Sequence, residues 1–282
     1  MSLSIVTAAC GAIEVTEQFL GETLGRCAQA HEVVVVSQAE TAEEHDRLAA
    51  AERRWTAGGW RWTAWACPEP LGSTAAFNVG LRYASGDVVA LLHNDLMVRE
   101  QGWDGRLLEF FAGHPEAGVA GFHGAQGLGA MDIYRTPYRL EQLARWHCWS
   151  NLEDWSHHGK HAERPLQVAV VDGMAICARR ADLLAWGALD ESLGAHHMYD
   201  NDICLTALAA GRVNYVLPVR ARHLSGQTAN FPRYNEAFAH LGGDPGVHRM
   251  AHERFYEKWR DRLPVFVGQS PAEAAWWRSS RP

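Results

Sequence analysis

Asp95 closes the run Val88-Val89-Ala90-Leu91-Leu92-His93-Asn94-Asp95. An apolar strand that ends in a polar, carboxylate-bearing turn is how an open α/β sheet offers a ligand site. A carboxylate there can hold a hard divalent cation such as Mg2+ or Mn2+, whose other positions go to water and phosphate oxygens. Asp is also an ordinary turn former, so its chemical meaning depends on its company. A second acidic group stands at His196-His197-Met198-Tyr199-Asp200-Asn201-Asp202, ahead of the helical run Ile203 to Ala210 and the stop Gly211. One acid suffices to cap that helix and meet its dipole. Asp202 is the expected cap, which leaves Asp200 as a placed general base.

The elements that must position these groups alternate through the first third of the chain. Leu3 to Thr7, Val33 to Val36 and Val88 to Leu92 are short apolar runs, with a weaker, tryptophan-rich candidate at Trp60 to Ala66. Between them lie helical segments. In Thr41 to Trp55, Thr41 and Glu44 are spaced as a capping box, and Ser73 stands as N-cap of a helix running to about Ala84 and closed by Gly86. Continuous apolar strands separated by helices imply a mostly parallel central sheet with helices on both faces. Its carboxyl edge would present Thr7, Ala8, Ser37 and the His93-Asn94-Asp95 turn together.

Composition removes several function classes. The 282 residues, 47% hydrophobic and 21% charged, suit one large α/β domain. A formal charge of −7 argues against a nucleic-acid partner. The six cysteines are scattered without a C-x-x-C pair, so neither a disulfide framework nor a zinc ribbon is indicated, and a reducing cytoplasm is the expected home. There is no signal-peptide pattern and no apolar run of spanning length. The P-loop, dinucleotide, zincin and nucleophile-elbow signatures are absent. His157 and His161 have i,i+4 spacing, but Gly159 between them weakens a helix and favours a polar loop.

A resemblance joins these pieces. Ala75-Ala76-Phe77-Asn78-Val79-Gly80 and Ala84-Ser85-Gly86-Asp87 leading into Val88 to Asp95 resemble the segment of family-2-type glycosyltransferases of the GT-A fold that ends in their metal-binding D-x-D. Val171-Asp172-Gly173, Arg179-Arg180, Gly187 to Glu191 and Tyr199 to Asp202 resemble the acceptor-side half, and Arg222-His223-Leu224-Ser225-Gly226 the His-bearing segment that closes the site. The likeness covers about residues 2 to 226 and is nearest the branch with H-x-D in place of D-x-D.

The resemblance implies a GT-A (Rossmann-like) unit over residues 1–228, with a nucleotide-binding half at 1–95, an acceptor-side half at 96–228, and a helical extension at 229–282. It implies an inverting, cation-dependent transferase of hexosyl or deoxyhexosyl type. Asp95 and His223 would serve the metal and Asp200 the acceptor proton. Thr7, Ala8, Ser37, Asn78, His93, Asn94, Asp172 and Gly173 would line the nucleotide-sugar site, and Tyr199, Asp202 and Trp149 the acceptor side. The donor would be a UDP-, dTDP- or GDP-sugar, and the acceptor a glycan or a lipid-linked saccharide, with peripheral membrane association and homo-oligomers both compatible.

Two departures carry weight. His93 replaces a carboxylate, which removes a negative charge and suits Mn2+ better than Mg2+. Ser37-Gln38 stands where relatives carry an Asp against the nucleoside, so the nucleotide is left open. The tryptophans of 122–167 and of the tail, among them Trp146, Trp149, Trp155, Trp259, Trp276 and Trp277, can stack on sugar faces or pack a core. The competing expectations are a GT-A-fold sugar-binding scaffold without turnover and a nucleotidyltransferase. The latter would need a basic loop after the first strand, and Ala8-Ala9-Cys10-Gly11-Ala12 has no basic residue.

Overall fold

The structure is a computed structural model and describes residues 1–38, 41–129, 148–153, 159–226 and 231–268. Strand and helix alternate first: β1 (Leu3–Cys10), α1 (Ile13–Thr23), β2 (Glu32–Gln38), α2 (Ala42–Ala57), β3 (Arg61–Cys67), α3 (Ser73–Tyr83) and β4 (Val88–His93). There follow β5 (Leu96–Val98), α4 (Trp103–Gly113), β6 (Ala117–Gly121), β7 (His123–Ala125), β8 (Gly127–Leu128), β9 (Cys148–Ser150), β10 (Leu166–Val168), β11 (Val170–Val171) and β12 (Ala175–Arg179). The described chain ends with α5 (Arg180–Ala185), α6 (Tyr199–Ala209), β13 (Val213–Val216), β14 (Ala221–His223), α7 (Pro232–Ala237), α8 (Gly243–Trp259) and β15 (Val265–Phe266).

The central sheet runs β10-β13-β6-β12-β4-β1-β2-β3. Parallel pairing joins β3, β2, β1 and β4, whereas β12 is antiparallel to both β4 and β6. Val33 to Val36 are all fully buried, because both faces of this sheet are covered. Alternate side chains feed two layers. Val34 and Val36 join Val6 and Phe77 on one face, and Val33 and Val35 join Ile5 and Phe19 on the other. From β1 the chain moves outward to β2 and β3 and returns to β4 on β1's other side. The loops after β1 and β4 therefore diverge and leave a crevice at the carboxyl edge.

Thr41 and Glu44 form the expected capping box, Glu44 N–H donating to Thr41 Oγ1 at 3.2 Å and Thr41 N–H to Glu44 Oε2 at 2.7 Å. The weak strand around Trp60 to Ala66 is β3, the edge strand. Ser73, however, is not the N-cap of α3: Gly72 holds that position at φ +84°, where an added Cβ would lie 2.2 Å from the Ala195 carbonyl oxygen. Ser73 is thereby moved into the first turn, with its hydroxyl 2.7 Å from His196 Nδ1. Gly86 does not close α3 either, since the helix ends at Tyr83 and the extended Ala84 holds the C-cap position. Past His223, α8 buries Ala251, Phe255 and Trp259 in the same layer as Phe77, and β15 pairs with β8. Among the described residues no helix is long and apolar enough to cross a membrane.

Candidate active site

His93 ends β4, and Asp95 follows two residues later. The β5–β14 ribbon, seated on fully buried Leu96, Met97 and Val98, sets His223 opposite Leu96 and so beside Asp95. His223 Nε2 lies 3.1 Å and His93 Nδ1 3.9 Å from Asp95 Oδ1. Leu224 N–H donates to the Asp95 carbonyl at 3.1 Å, which holds the His223 strand end in place. Burial pushes the Asp95 carboxyl upward, but His223 and then His93 outweigh it and hold it below its ordinary value. Burial disfavours the His223 cation, yet Asp95 more than compensates, so its pKa rises. Burial lowers that of His93.

These three side chains fit a divalent cation. Their donor atoms lie within 4.8 Å of one another, and ligands about 2.1 Å from a common centre at right angles stand about 3 Å apart. Asp95 Oδ1 is buried and accepts no well-aligned hydrogen bond. Two imidazoles with one carboxylate suit a transition ion such as Mn2+ better than Mg2+, which favours oxygen donors.

The turn Asp172-Gly173-Met174, between β11 and β12, links this cluster to Asp200. Gly173 N–H donates to Asp200 Oδ2 at 2.9 Å, and Asn201 N–H to Asp200 Oδ1 at 2.8 Å. The Gly173 carbonyl faces the Tyr199 hydroxyl at 3.5 Å, and the Met174 carbonyl accepts from His93 N–H at 3.0 Å. Tyr199 Oη is 2.6 Å from His93 Nε2, which fixes that ring and leaves Nδ1 toward Asp95. A Cβ on residue 173 would sit 2.7 Å from Tyr199 Oη, so only glycine allows the tyrosine this place. Burial, and next the Asp172 carboxylate, push Asp200 up to about 7 despite its backbone donors. Burial likewise raises Tyr199 well above its ordinary range.

The structure thus gathers His93, Asp95, His223, Asp172, Gly173, Tyr199 and Asp200. Thr7 and Ala8 lie beside them in the sheet, Ala8 in register with His93, and Thr7 Oγ1 is buried without a partner. Ser37 is buried next to Ala9 at the end of β2. Asn78 is spent elsewhere: its amide clasps Leu189 and Glu191. The Asn94 amide is turned to Thr16, tying the turn to α1. Trp149 stands in β9, in the small sheet that runs on from β11, with the Lys160 ammonium 5.8 Å from its ring.

Asp202 neither caps α6 nor faces this cluster. Met198 occupies the N-cap, and Asp202 is buried against Trp259 Nε1 at 2.7 Å and Lys258 Nζ at 2.8 Å. His157, Trp146, Trp155, Trp276 and Trp277 lie outside the described residues. The sequence placed His93 in the metal motif, as an imidazole that suits Mn2+, but grouped it with the nucleotide-sugar residues and Tyr199 with the acceptor side, whereas the structure sets the Tyr199 hydroxyl against the His93 ring. The signal for His93 beside Asp95 was available: two-residue spacing at a strand end sends both side chains to one face.

Residues 4–182 match glycosyl transferase family 2. No curated protein matches the chain by sequence. Among solved structures, the mannosyltransferase PcManGT from Pyrobaculum calidifontis, in complex with GDP-Man and Mn2+, aligns with TM-score 0.54 and 18% identity over 99% of this chain and 79% of that one. GalNAc-T7 with UDP, GalNAc and Mn2+ aligns with TM-score 0.61 and 12% identity over 93% of this chain, which spans 56% of that protein. TarS from S. aureus aligns with TM-score 0.53 and 13% identity, this chain spanning 43% of its length. With a family match over more than half its length and a sheet shared with these proteins, the chain belongs to glycosyl transferase family 2 and is a glycosyltransferase of the GT-A fold.

Proposed function

We propose that the chain transfers a hexose or deoxyhexose from a nucleotide sugar to a saccharide or other hydroxyl acceptor, with inversion and with a divalent cation. The observation that carries this reading is the Asp172-Gly173-Met174 turn. It binds both the histidine of the metal cluster and the carboxylate of Asp200. The Pyrobaculum calidifontis and GalNAc-T7 structures hold Mn2+ with GDP-Man or UDP, which supports a nucleoside diphosphate beside His93, Asp95 and His223.

Asp95 and the His93 and His223 imidazoles would hold a divalent cation, which would supply stabilisation of the negative charge on the departing diphosphate. The Tyr199 hydroxyl keeps the His93 ring aimed. As the acceptor oxygen bonds to the anomeric carbon, the carbon–phosphate-oxygen bond breaks and its electron pair leaves with the nucleoside diphosphate. The acceptor proton passes to the Asp200 carboxylate. A base raised to about 7 is matched to that task near neutral pH. Attack opposite the leaving group inverts the centre in one step, whereas retention needs a second carboxylate as nucleophile. Asp202 is turned away on Trp259.

On this reading residues 1–228 form the transferase unit and 229–282 its extension, of which residues 231–268 are described and the rest lies outside the described residues. The donor is a UDP-, dTDP- or GDP-sugar, the acceptor a glycan or lipid-linked saccharide, and the setting polysaccharide assembly in the cytoplasm. The test is calorimetry with UDP-, dTDP- and GDP-sugars, with Mn2+ or chelator, on the parent, Asp95→Ala and Asp200→Ala. One nucleotide should bind only with metal, lose binding in Asp95→Ala and keep it in Asp200→Ala. No binding under any condition would overturn the transferase reading in favour of a sugar-binding scaffold.

A further inference from the structure

Asp200 stands between two anchors that both lead to α8. On one side, His197 Nε2 is 3.1 Å from Asp244 Oδ1 in the first turn of α8. On the other, Asp202 accepts from Trp259 Nε1 at 2.7 Å and from Lys258 Nζ at 3.0 Å, both in the last turn of the same helix. Asp244 is itself held, its N–H donating to Asn235 Oδ1 at 3.2 Å. One helix is therefore pinned at its two ends to the residues that flank Asp200, all of them beyond the 4–182 family match.

The chain between those anchors adopts a conformation it would not choose alone. His197 and Met198 are consecutive non-glycine residues in the left-handed region, at φ +68° and +59°. Such a pair persists where surrounding contacts over-determine it, and it is found where a side chain must be aimed. Here the contacts are the His197–Asp244 bond, the approach of His196 Nδ1 to Ser73 Oγ and the Thr74 N–H donated to the Ala195 carbonyl at 3.1 Å. The His248 ring packs edge-on to His197 at 4.7 Å. The left-handed pair turns the chain into α6, so that Tyr199 meets His93 and Asp200 meets Gly173.

We infer that α8 is a brace for the catalytic base, with His197 and Asp244 as positioning residues that act through Asp200. The inference rests on Asp200 as base and adds what holds it in place. The test compares His197→Gly, which still accepts the positive φ but loses the bond, with Asp244→Ala and with the double variant. His197→Gln and Asp244→Asn keep a donor or an acceptor at the same place. Activity is nucleoside diphosphate release from the nucleotide sugar chosen by the titration above. Mn2+ affinity and amide exchange at 199–203 are measured beside it.

Each of the two single variants should lower kcat about tenfold to a hundredfold, with KM and Mn2+ affinity within twofold and faster exchange in the first turn of α6. The double variant should be no worse than either single, as expected of one shared interaction. The Gln and Asn variants should recover most of the loss. Singles that keep kcat within twofold, losses that multiply in the double, or unchanged exchange would each overturn the brace. If Asp200→Asn itself keeps its kcat, the base assignment fails independently, and exchange at 199–203 still decides whether α8 orders this turn.

Discussion

Replacing Asp200 by Asn should disable the enzyme and stabilise the fold at the same time. The carboxyl is raised from 3.8 to about 7, roughly three pH units, which at 1.36 kcal/mol each is at most about 4 kcal/mol of disfavoured ionisation. Because the folded value lies above the unfolded one, this penalty is absent below pH 4. It grows as pH rises through about 7 and is complete above it. Asn removes the charge but offers one acceptor to the two N–H groups of Gly173 and Asn201, a loss of about 1–3 kcal/mol. The variant should therefore unfold about 1–3 kcal/mol harder than the parent at pH 8, and toward pH 4, where the ionisation penalty is absent and only the lost acceptor counts, it should unfold more easily by about 1–3 kcal/mol. Its kcat should fall about 10² to 10⁴, with donor affinity unchanged.

The assay is nucleoside diphosphate release at saturating donor, alongside urea unfolding at pH 4 and pH 8. In the parent, burial and the Asp172 carboxylate hold the base well above the ordinary carboxylate range, so kcat should climb with pH across the neutral region. A flat profile between pH 6 and 8, or an Asn variant within tenfold of the parent, would refute the assignment of Asp200.

Other substitutions separate the remaining roles. Gly173→Ala places a Cβ 2.7 Å from Tyr199 Oη, which should loosen His93 and cost about 10- to 100-fold in Mn2+ affinity by calorimetry; an unchanged affinity would show that Tyr199 does not orient the ligand. Mn2+ must displace the proton that Asp95 favours on His223, so titration near neutral pH should release protons and affinity should fall as pH falls. Identical binding heats in buffers of different ionisation enthalpy would contradict this. Asp104 is fully buried, and His31 Nε2 at 2.7 Å and the Ala28 N–H at 2.8 Å hold it. Burial pushes its carboxyl up, but these partners outweigh it and lower the pKa, so its contribution is present above the unfolded value near 4 and is lost in acid. Asp104→Ala should cost about 3–5 kcal/mol in urea unfolding and leave Mn2+ affinity within twofold, whereas a loss under 1 kcal/mol would mark the pair as dispensable.

Local pattern and tertiary assembly divide this protein cleanly. The valine run 33–36, the run from Val88 to Asp95 and the capping box of α2 were legible because strand burial, strand-end turns and helix caps are written within a few consecutive residues. Asp95 and Asp200 stood out in the same way, each an acid at the edge of an element, as the expected metal ligand and base. Other features needed residues far apart in the chain. Ser73 looks like a cap until Ala195, more than a hundred residues away, takes the space beside residue 72 and leaves room only for glycine. Asp202 looks like a cap or an acceptor contact until α8 brings Trp259 and Lys258 to it. His93 joins a cluster that could hold a metal only when β14 carries His223 beside Asp95 and Tyr199 meets its ring. The sequence by itself determined which side chains could do the chemistry. Which of them meet was decided by tertiary structure, because hydrogen bonds and desolvation act through space across separations that no local pattern encodes.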